Sequence, residues 1–387
     1  MGQSHSHDRH HGHHGPKGRQ QHAEEDECVE RELEPVSPPP PPPPLPKDLY
    51  GVIVGFCDAR TLMHSCWSVN KAVHALCWAA ARKRLFVTSM TGNMMGQLVF
   101  RDVWTGELVG TLAAHKASES CFQVVTIDGE DQLVTCGEDK QIRVWRLPSM
   151  KRLRERKMEE GIRCFHVDAA NNAIALGVDD QIRLLPFDCF HRTGNAFVPA
   201  VLKEYMLSQI WKVRLLPTGV VLAMGGYQLF YFDSQGHYLK DVTTNAFRFH
   251  GSFLEILPGD PSKIVAVMDK MVRVCDSGTG VVLCEWRHHC GYVYSFCLTP
   301  QLRVLLACGK KNDFRVSEFT LDGQLVRHFA NFYGARVLGF GRDCTILGGH
   351  CGGDFSTDVL QCREGDRVLW SHDSGEPTEL IQMLLPK

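Results

Sequence analysis

Three observations predict an all-β fold made of seven four-stranded sheets. A cluster spelled Gln-Leu/Ile-x-hydrophobic recurs about every 43 residues, with degraded copies in the last third of the chain. From residue 85 onward, apolar and polar residues alternate with strand periodicity between Gly, Asp and Pro. Seven segments match an innermost strand, and seven sets match the other three strands of a sheet. A fixed period of this length is typical of propeller blades, so we predict a seven-bladed β-propeller. The second residue of each repeat is Leu98, Ile142, Ile182, Leu229, Val272, Phe314 or Val359.

Residues 1–44 form the first predicted segment, a disordered tail. It contains a His-rich stretch, an acidic run at 24–34 and seven consecutive prolines at 38–44. Low hydrophobicity and high local charge leave too little apolar surface to offset chain entropy. The proline run predicts an extended polyproline helix, which serves either as a spacer or as a ligand for a polyproline-binding module.

Residues 45–81 form the second predicted segment, which has a helical pattern. Leu45, Leu49, Val52, Ile53 and Phe56 share one apolar stripe at a period of 3.6 residues. A second amphipathic stretch follows Asp58. Two or three short helices are too few to form a core of their own.

The third predicted segment, residues 85–387, is the propeller. Its first repeat lacks an innermost strand, and its last residues supply an extra one. We therefore expect the C-terminal strand to complete the first blade, so that the ring closes without a long exposed edge.

Composition narrows the function classes. The net charge is -2, which gives no reason to expect a nucleic-acid partner. The 16 cysteines are dispersed without a Cys-x-x-Cys pair, and no apolar run approaches the roughly 20 residues of a membrane span. We expect a soluble cytoplasmic protein without a metal site or a cofactor.

One repeat carries a family resemblance. Residues 133–145 read Leu-Val-Thr-Cys-Gly-Glu-Asp-Lys-Gln-Ile-Arg-Val-Trp and closely resemble the core of a WD repeat. Such repeats contain a His, a Ser/Thr, an Asp and a Trp that are hydrogen-bonded in series, and the matching residues here are His115, Thr135, Asp139 and Trp145. The other six repeats resemble diverged copies. The resemblance implies a structural network, and we expect no catalytic residues because no nucleophile elbow accompanies the His–Asp pair.

The helical segment resembles the first half of an F-box. Residues 45–62 place Leu-Pro, Leu, Ile, an aromatic residue, Asp and Leu in the F-box register. The resemblance implies that this segment docks on the adaptor of a cullin–RING ubiquitin ligase while the propeller holds the substrate. The alternative is that the stripe packs against the propeller itself. The implied adaptor-binding residues are Leu45, Pro46, Leu49, Ile53, Phe56 and Leu62.

The repeat alignment places five residues near the start of innermost strands, at the mouth of the channel. Their side-chain types, mainly Trp, Tyr and Arg, dominate interface energetics. We therefore predict partner contacts at Gln123, Arg163, Trp211, Tyr294 and Arg336.

Residues 1–6 read Met-Gly-Gln-Ser-His-Ser and match the pattern for N-myristoylation of Gly2. One acyl chain gives only marginal membrane binding, so the expected association is partial and reversible. The sequence thus predicts a non-catalytic protein-interaction module, as a ligase substrate receptor. The alternative is a WD-repeat scaffold, membrane-associated through its N-terminus, with no ligase link.

Overall fold

The computed structural model describes residues 84–90, 96–116, 121–179, 181–187, 200–202, 210–225, 228–243, 253–268, 270–288, 292–310, 313–329, 332–340, 344–351, 359–373 and 378–383. The chain divides between Lys47 and Asp48, and every described residue belongs to the second unit. The predicted tail and the F-box-like segment lie outside the described residues. No helix in the described ranges is long and apolar enough to cross a membrane.

The described residues form seven antiparallel four-stranded sheets, which confirms the prediction of an all-β seven-bladed propeller. Each sheet runs from an innermost to an outermost strand, and we number the blades from the N-terminus. The strands are β1 Leu85–Met90, β2 Gln97–Asp102 and β3 Leu108–Ala113, with β28 Thr378–Met383, in blade 1; β4 Cys121–Ile127, β5 Glu130–Cys136, β6 Gln141–Arg146 and β7 Lys151–Lys157 in blade 2; β8 Cys164–Asp168, β9 Ala173–Val178, β10 Gln181–Pro186 and β11 Ala200–Leu202 in blade 3; β12 Ile210–Leu215, β13 Val221–Gly225, β14 Gln228–Phe232 and β15 Tyr238–Thr243 in blade 4; β16 Phe253–Ile256, β17 Lys263–Met268, β18 Met271–Asp276 and β19 Val282–Arg287 in blade 5; β20 Tyr292–Leu298, β21 Val304–Lys310, β22 Asp313–Phe319 and β23 Leu325–Phe329 in blade 6; β24 Phe332–Phe340, β25 Cys344–Cys351, β26 Val359–Glu364 and β27 Arg367–Asp373 in blade 7.

Blade 1 is built from both ends of the described chain. Strand β28 pairs antiparallel with β1, so that Val87 lies opposite Gln382 and Thr88 opposite Ile381. The C-terminal strand therefore occupies the innermost position of the first blade. This pairing joins the two ends of the ring by backbone hydrogen bonds.

The hydrophobic core is divided among the interfaces between neighbouring blades. Side chains alternate across a strand, so a strand between two neighbours buries both faces. In β1, Leu85 and Val87 pack with residues of blade 2, whereas Phe86 packs with residues of blade 7. In β5, Leu133 contacts the blade 1 side and Val134 the blade 3 side. The second strands of blades 3, 4 and 5 are accordingly almost continuous apolar runs.

Turns that contain a glycine pack closely against the outer strand of the neighbouring blade. The turn between the last two strands of blade 6 contains Gly323 at φ +87°, and a Cβ there would lie 2.4 Å from Cγ of Trp286 in blade 5. Gly106 in blade 1 has φ +73°, and a Cβ there would lie 2.8 Å from the indole ring of Trp370 in blade 7. The Trp286 indole donates to Leu321 O (3.0 Å), and the Trp370 indole donates to Val103 O (3.0 Å). Each indole thus covers a turn that only glycine can form without a shift.

Candidate functional site

The polar residues predicted as a WD network lie in blade 2 and in the segment before it, and their side chains form two sets of hydrogen bonds. The buried Trp145 indole donates from Nε1 to Thr135 Oγ1 (3.0 Å). The second group joins His115 Nδ1 to Asp139 Oδ1 (2.7 Å), and Asp139 Oδ2 accepts from Arg143 Nη1 (2.9 Å). The Thr135 hydroxyl is therefore engaged by the indole, which is a structural arrangement.

Arg143 was missed by the sequence argument, although it holds this group together. Its guanidinium also donates to Ala114 O (2.6 Å) and pairs with Glu155 (2.9 Å). The sequence does contain a pattern that indicates this residue, because Arg occupies the same repeat position in blades 3, 5 and 6. In blade 3, Arg183 pairs with Glu160 at 2.7 Å, and in blade 5, Arg273 pairs with Glu285.

The charges in this group are set by burial and pairing. Burial by itself would raise the pKa of Asp139, but hydrogen bonds from Arg143 and His115 outweigh it and hold that pKa below its usual value. Burial lowers the pKa of His115, against the opposing effect of Asp139. Because an ionised carboxylate can only accept, His115 Nδ1 carries the proton in its bond to Asp139.

Polar side chains also connect neighbouring innermost strands. The Gln123 amide donates to Val167 O (2.8 Å) and accepts from Val167 N (2.9 Å), joining β4 to β8. His166 Nδ1 accepts from Leu215 N (3.2 Å), and Ser295 Oγ accepts from Val337 N (3.2 Å). An innermost strand has a sheet partner on one side, so these bonds satisfy backbone groups on its open edge.

Gln123 therefore has a different place from the one predicted. It is 4% exposed, and both ends of its amide are used between blades. A partner at the channel mouth would not reach it without separating blades 2 and 3. Its position in β4 is structural.

Arg163, Trp211 and Tyr294 lie at the N-terminal ends of innermost strands, an end of the channel that we call the mouth, whereas Arg336 lies in the middle of β24. Trp211 and Tyr294 each occupy a β-bulge, where β12 and β20 have one residue more than their sheet partners. Arg163 has a similar place, because its N–H bonds to Gly177 O, the residue that also pairs with Cys164. Bulges re-aim side chains at strand ends. Here Trp211 is exposed and Tyr294 and Arg163 are partly exposed, although the residue before each of them is buried.

The mouth combines aromatic surface with cations. Trp211 is 39% exposed, although Ile210 before it is fully buried. Arg163 lies 3.8 Å from Asp179, and Arg336 donates to Tyr294 O (3.1 Å). The Arg336 bond connects β24 to β20 and fixes the guanidinium next to the Tyr294 backbone. In the part of the chain that the structure describes, no group of three or more His, Cys, Asp and Glu has the arrangement of a metal site.

Comparison with known proteins identifies one family segment. The family model described as WD domain, G-beta repeat, matches residues 106–146, which run from the last turn of blade 1 through β6. No curated protein matches the chain. WD40 propellers are generally protein-interaction modules and usually non-catalytic. The protein is a seven-bladed β-propeller that contains a WD40 repeat.

Proposed function

We propose that this protein is a non-catalytic interaction module that binds a protein partner at the mouth of the channel. The observation that carries the proposal is the exposed indole of Trp211 on a bulge, with Tyr294 and Arg163 at the corresponding ends of other innermost strands. Large aromatic side chains and Arg supply most of the binding energy in protein interfaces. Side chains positioned by rigid strands also lose little entropy when they bind.

The finer proposal is that the protein is the substrate-recognition subunit of a cullin–RING ubiquitin ligase of the F-box type. It is supported by the F-box-like residues 45–62, which precede the propeller as in propeller-type members of that family. In this proposal Leu49 and Ile53 face the adaptor while the mouth faces the substrate. The protein contributes binding and positioning, and the ligase supplies the chemistry.

Affinity purification of the full-length chain from the cells that produce it tests the mouth and the F-box-like stripe separately. Replacing Trp211 by Ala should remove substrate proteins and leave the ligase adaptor and cullin bound. Replacing Leu49 and Ile53 together by Asp should do the reverse. Burial of each side chain is worth roughly 1.5–3 kcal/mol, so adaptor affinity should fall at least about a hundredfold.

The control is Leu239→Ala, which removes an exposed apolar side chain from the outermost strand of the blade that contains Trp211. It should change neither set of partners. If wild-type protein captures no adaptor or cullin, the ligase assignment is wrong. If Trp211→Ala keeps every partner, the mouth is not the interaction site.

A scaffold that assembles several proteins is the second candidate. Exposed apolar side chains on the outer strands of blades 5 and 6, including Leu283 and Leu325, favour it because they offer contact surface away from the mouth. Membrane association through a myristoylated Gly2 belongs to this candidate. Mass spectrometry of the native N-terminus should find the acyl group, and Gly2→Ala should abolish partial membrane association; an unmodified Gly2 excludes it.

A further inference from the structure

The channel has a cavity at its other end, opposite the mouth, which we call the lower cavity. Its volume is about 890 Å³, and its lining includes residues from all seven innermost strands. These residues lie near the C-terminal ends of the strands and in the turns that follow. Small-molecule pockets in proteins have volumes of about 300–1,000 Å³, so the lower cavity is large enough for such a ligand.

The walls of the lower cavity are mainly apolar. Leu215, Ile256, Phe296, Leu338 and Met383 contribute side chains from five different blades. Of these, Ile256, Phe296 and Met383 are only partly buried. An apolar molecule there would remove this surface from water, at about 25 cal/mol per Å².

Among the polar residues of the wall, Arg214 and Glu255 form an ion pair. Arg214 Nη2 donates to Glu255 Oε1 (2.5 Å), and Arg214 Nη1 donates to Val213 O (2.9 Å). A guanidinium has five N–H donors, and these two bonds leave one further N–H on each of Nη1 and Nη2. The pair therefore offers donors from Arg214 beside an acceptor carboxylate.

The charges on the wall disfavour an anion. Arg214 is neutralised by Glu255, and the carboxylate of Asp168 also lines the cavity. An anionic ligand would meet two carboxylates in an apolar site and would leave its hydration shell to do so. A neutral group with both an acceptor and an N–H donor fits the Arg214–Glu255 pair better.

We propose that the lower cavity is a second binding site, distinct from the mouth, for a small, uncharged, mainly apolar molecule that carries an amide-like group. The apolar part lies against Phe296 and Leu338, and the amide-like group accepts from Arg214 and donates to Glu255. This site is independent of a protein partner at the mouth. A ligand that contacts several innermost strands stabilises the folded ring over the unfolded chain.

Dansylamide is the probe, since it joins an apolar naphthalene to an uncharged sulfonamide with acceptor oxygens and an N–H donor. Titration of the full-length chain, followed by fluorescence, should give one saturable site per chain with blue-shifted emission. The matched compound is dansyl sulfonate, which has the same ring system but an anionic group without a donor. It should bind at least tenfold more weakly.

Two tryptophan substitutions locate the probe. Ala170 is exposed in the turn after β8 and lines the lower cavity, so Ala170→Trp should obstruct it and weaken dansylamide binding at least tenfold. Leu302 is exposed in the corresponding turn of blade 6 but does not line the cavity, so Leu302→Trp should leave binding within twofold. Neither change removes a core contact, and equal unfolding midpoints verify that both variants fold.

Three results would each overturn the proposal. One is a titration of wild-type protein without saturation. Another is an Ala170→Trp variant with wild-type affinity. The third is dansyl sulfonate binding as tightly as dansylamide, which would show that the Arg214–Glu255 pair does not select a neutral donor–acceptor group.

Discussion

Arg143 shows at the residue scale how one buried cation holds a blade together. It bonds to Asp139, to Glu155 and to the backbone of Ala114, which connects β6 to its neighbouring strand and to the segment before the blade. Its side chain is 9% exposed, and that of Asp139 is 10% exposed. Both charged groups therefore have little contact with bulk water and rely on each other.

Replacing Arg143 by Met should lower the free energy of unfolding by about 3–5 kcal/mol, because it leaves Asp139 buried with less compensation. Urea denaturation followed by tryptophan fluorescence measures the change. The matched control is Arg152→Met. Arg152 pairs with the same Glu155 at 2.8 Å, but its side chain is 51% exposed, so the loss should stay below about 1 kcal/mol. Equal effects of the two changes would contradict a special role for the buried guanidinium.

His115 and Asp139 predict how stability depends on pH. Both have a folded-state pKa below the unfolded value, so the unfolded chain binds more protons as the pH falls. Stability should therefore decline below about pH 6.5 through His115, and again below about pH 3.9 through Asp139. The slope for one group is at most about 1.4 kcal/mol per pH unit.

The free energy of unfolding, measured from pH 8 to pH 4, tests the decline in stability that is attributed to His115. His115→Gln should lose part of the wild-type slope below about pH 6.5, because the variant has no group that titrates there at this position. If the curves of unfolding free energy against pH are parallel for the wild type and the variant, the pKa of His115 is the same in the folded and unfolded chains.

At the scale of elements, the turns between outer strands decide how neighbouring blades meet. Gly323 allows the turn of blade 6 to lie directly against Trp286, and the indole bonds to the same turn at Leu321 O. Gly129 occupies a different turn, at φ +76°, but a Cβ there would meet nothing within 4 Å. Substitutions at the two positions therefore distinguish the cost of backbone strain from the cost of displacing the indole.

Gly323→Ala should lower the free energy of unfolding by about 2–5 kcal/mol, because strain at positive φ adds to displacement of the indole. Gly129→Ala should lower it by about 1–2 kcal/mol from strain alone. Denaturant midpoints measure both. If Gly323→Ala is no worse than Gly129→Ala, the close packing of Trp286 on the turn does not stabilise the blade interface.

At the scale of the whole molecule, stability depends on closing the ring. Strand β28 provides the innermost strand of blade 1, and the cluster that includes Phe86, Val103 and Leu338 buries the interface between blades 7 and 1. Without β28, strand β1 presents an unpaired edge next to apolar surface. Such an edge promotes association between chains.

Deleting residues 375–387 should therefore lower the melting temperature and cause aggregation, as measured by thermal scanning and size-exclusion chromatography. The control is deletion of residues 384–387, which lie beyond β28 and should have little effect. A monomeric chain with wild-type melting after the longer deletion would show that β28 does not hold the ring closed.

The sequence by itself determined the number and type of the blades. The repeat period and the two-residue alternation are local patterns, and local patterns record which residues must be buried in a strand. The same alignment placed Arg163, Trp211 and Tyr294 at the starts of innermost strands, because equivalent positions in a repeat occupy equivalent positions in the ring.

Only the tertiary structure decided which side chains remain available for binding. Gln123 and Trp211 were both predicted as contacts at the mouth, yet the Gln123 amide is used by Val167 of the next blade. Arg143 gained its role from Asp139 and Glu155, and the lower cavity arises only where all seven innermost strands meet. These are contacts between residues far apart in sequence, and no local pattern encodes their distances because they are set by how the blades pack together.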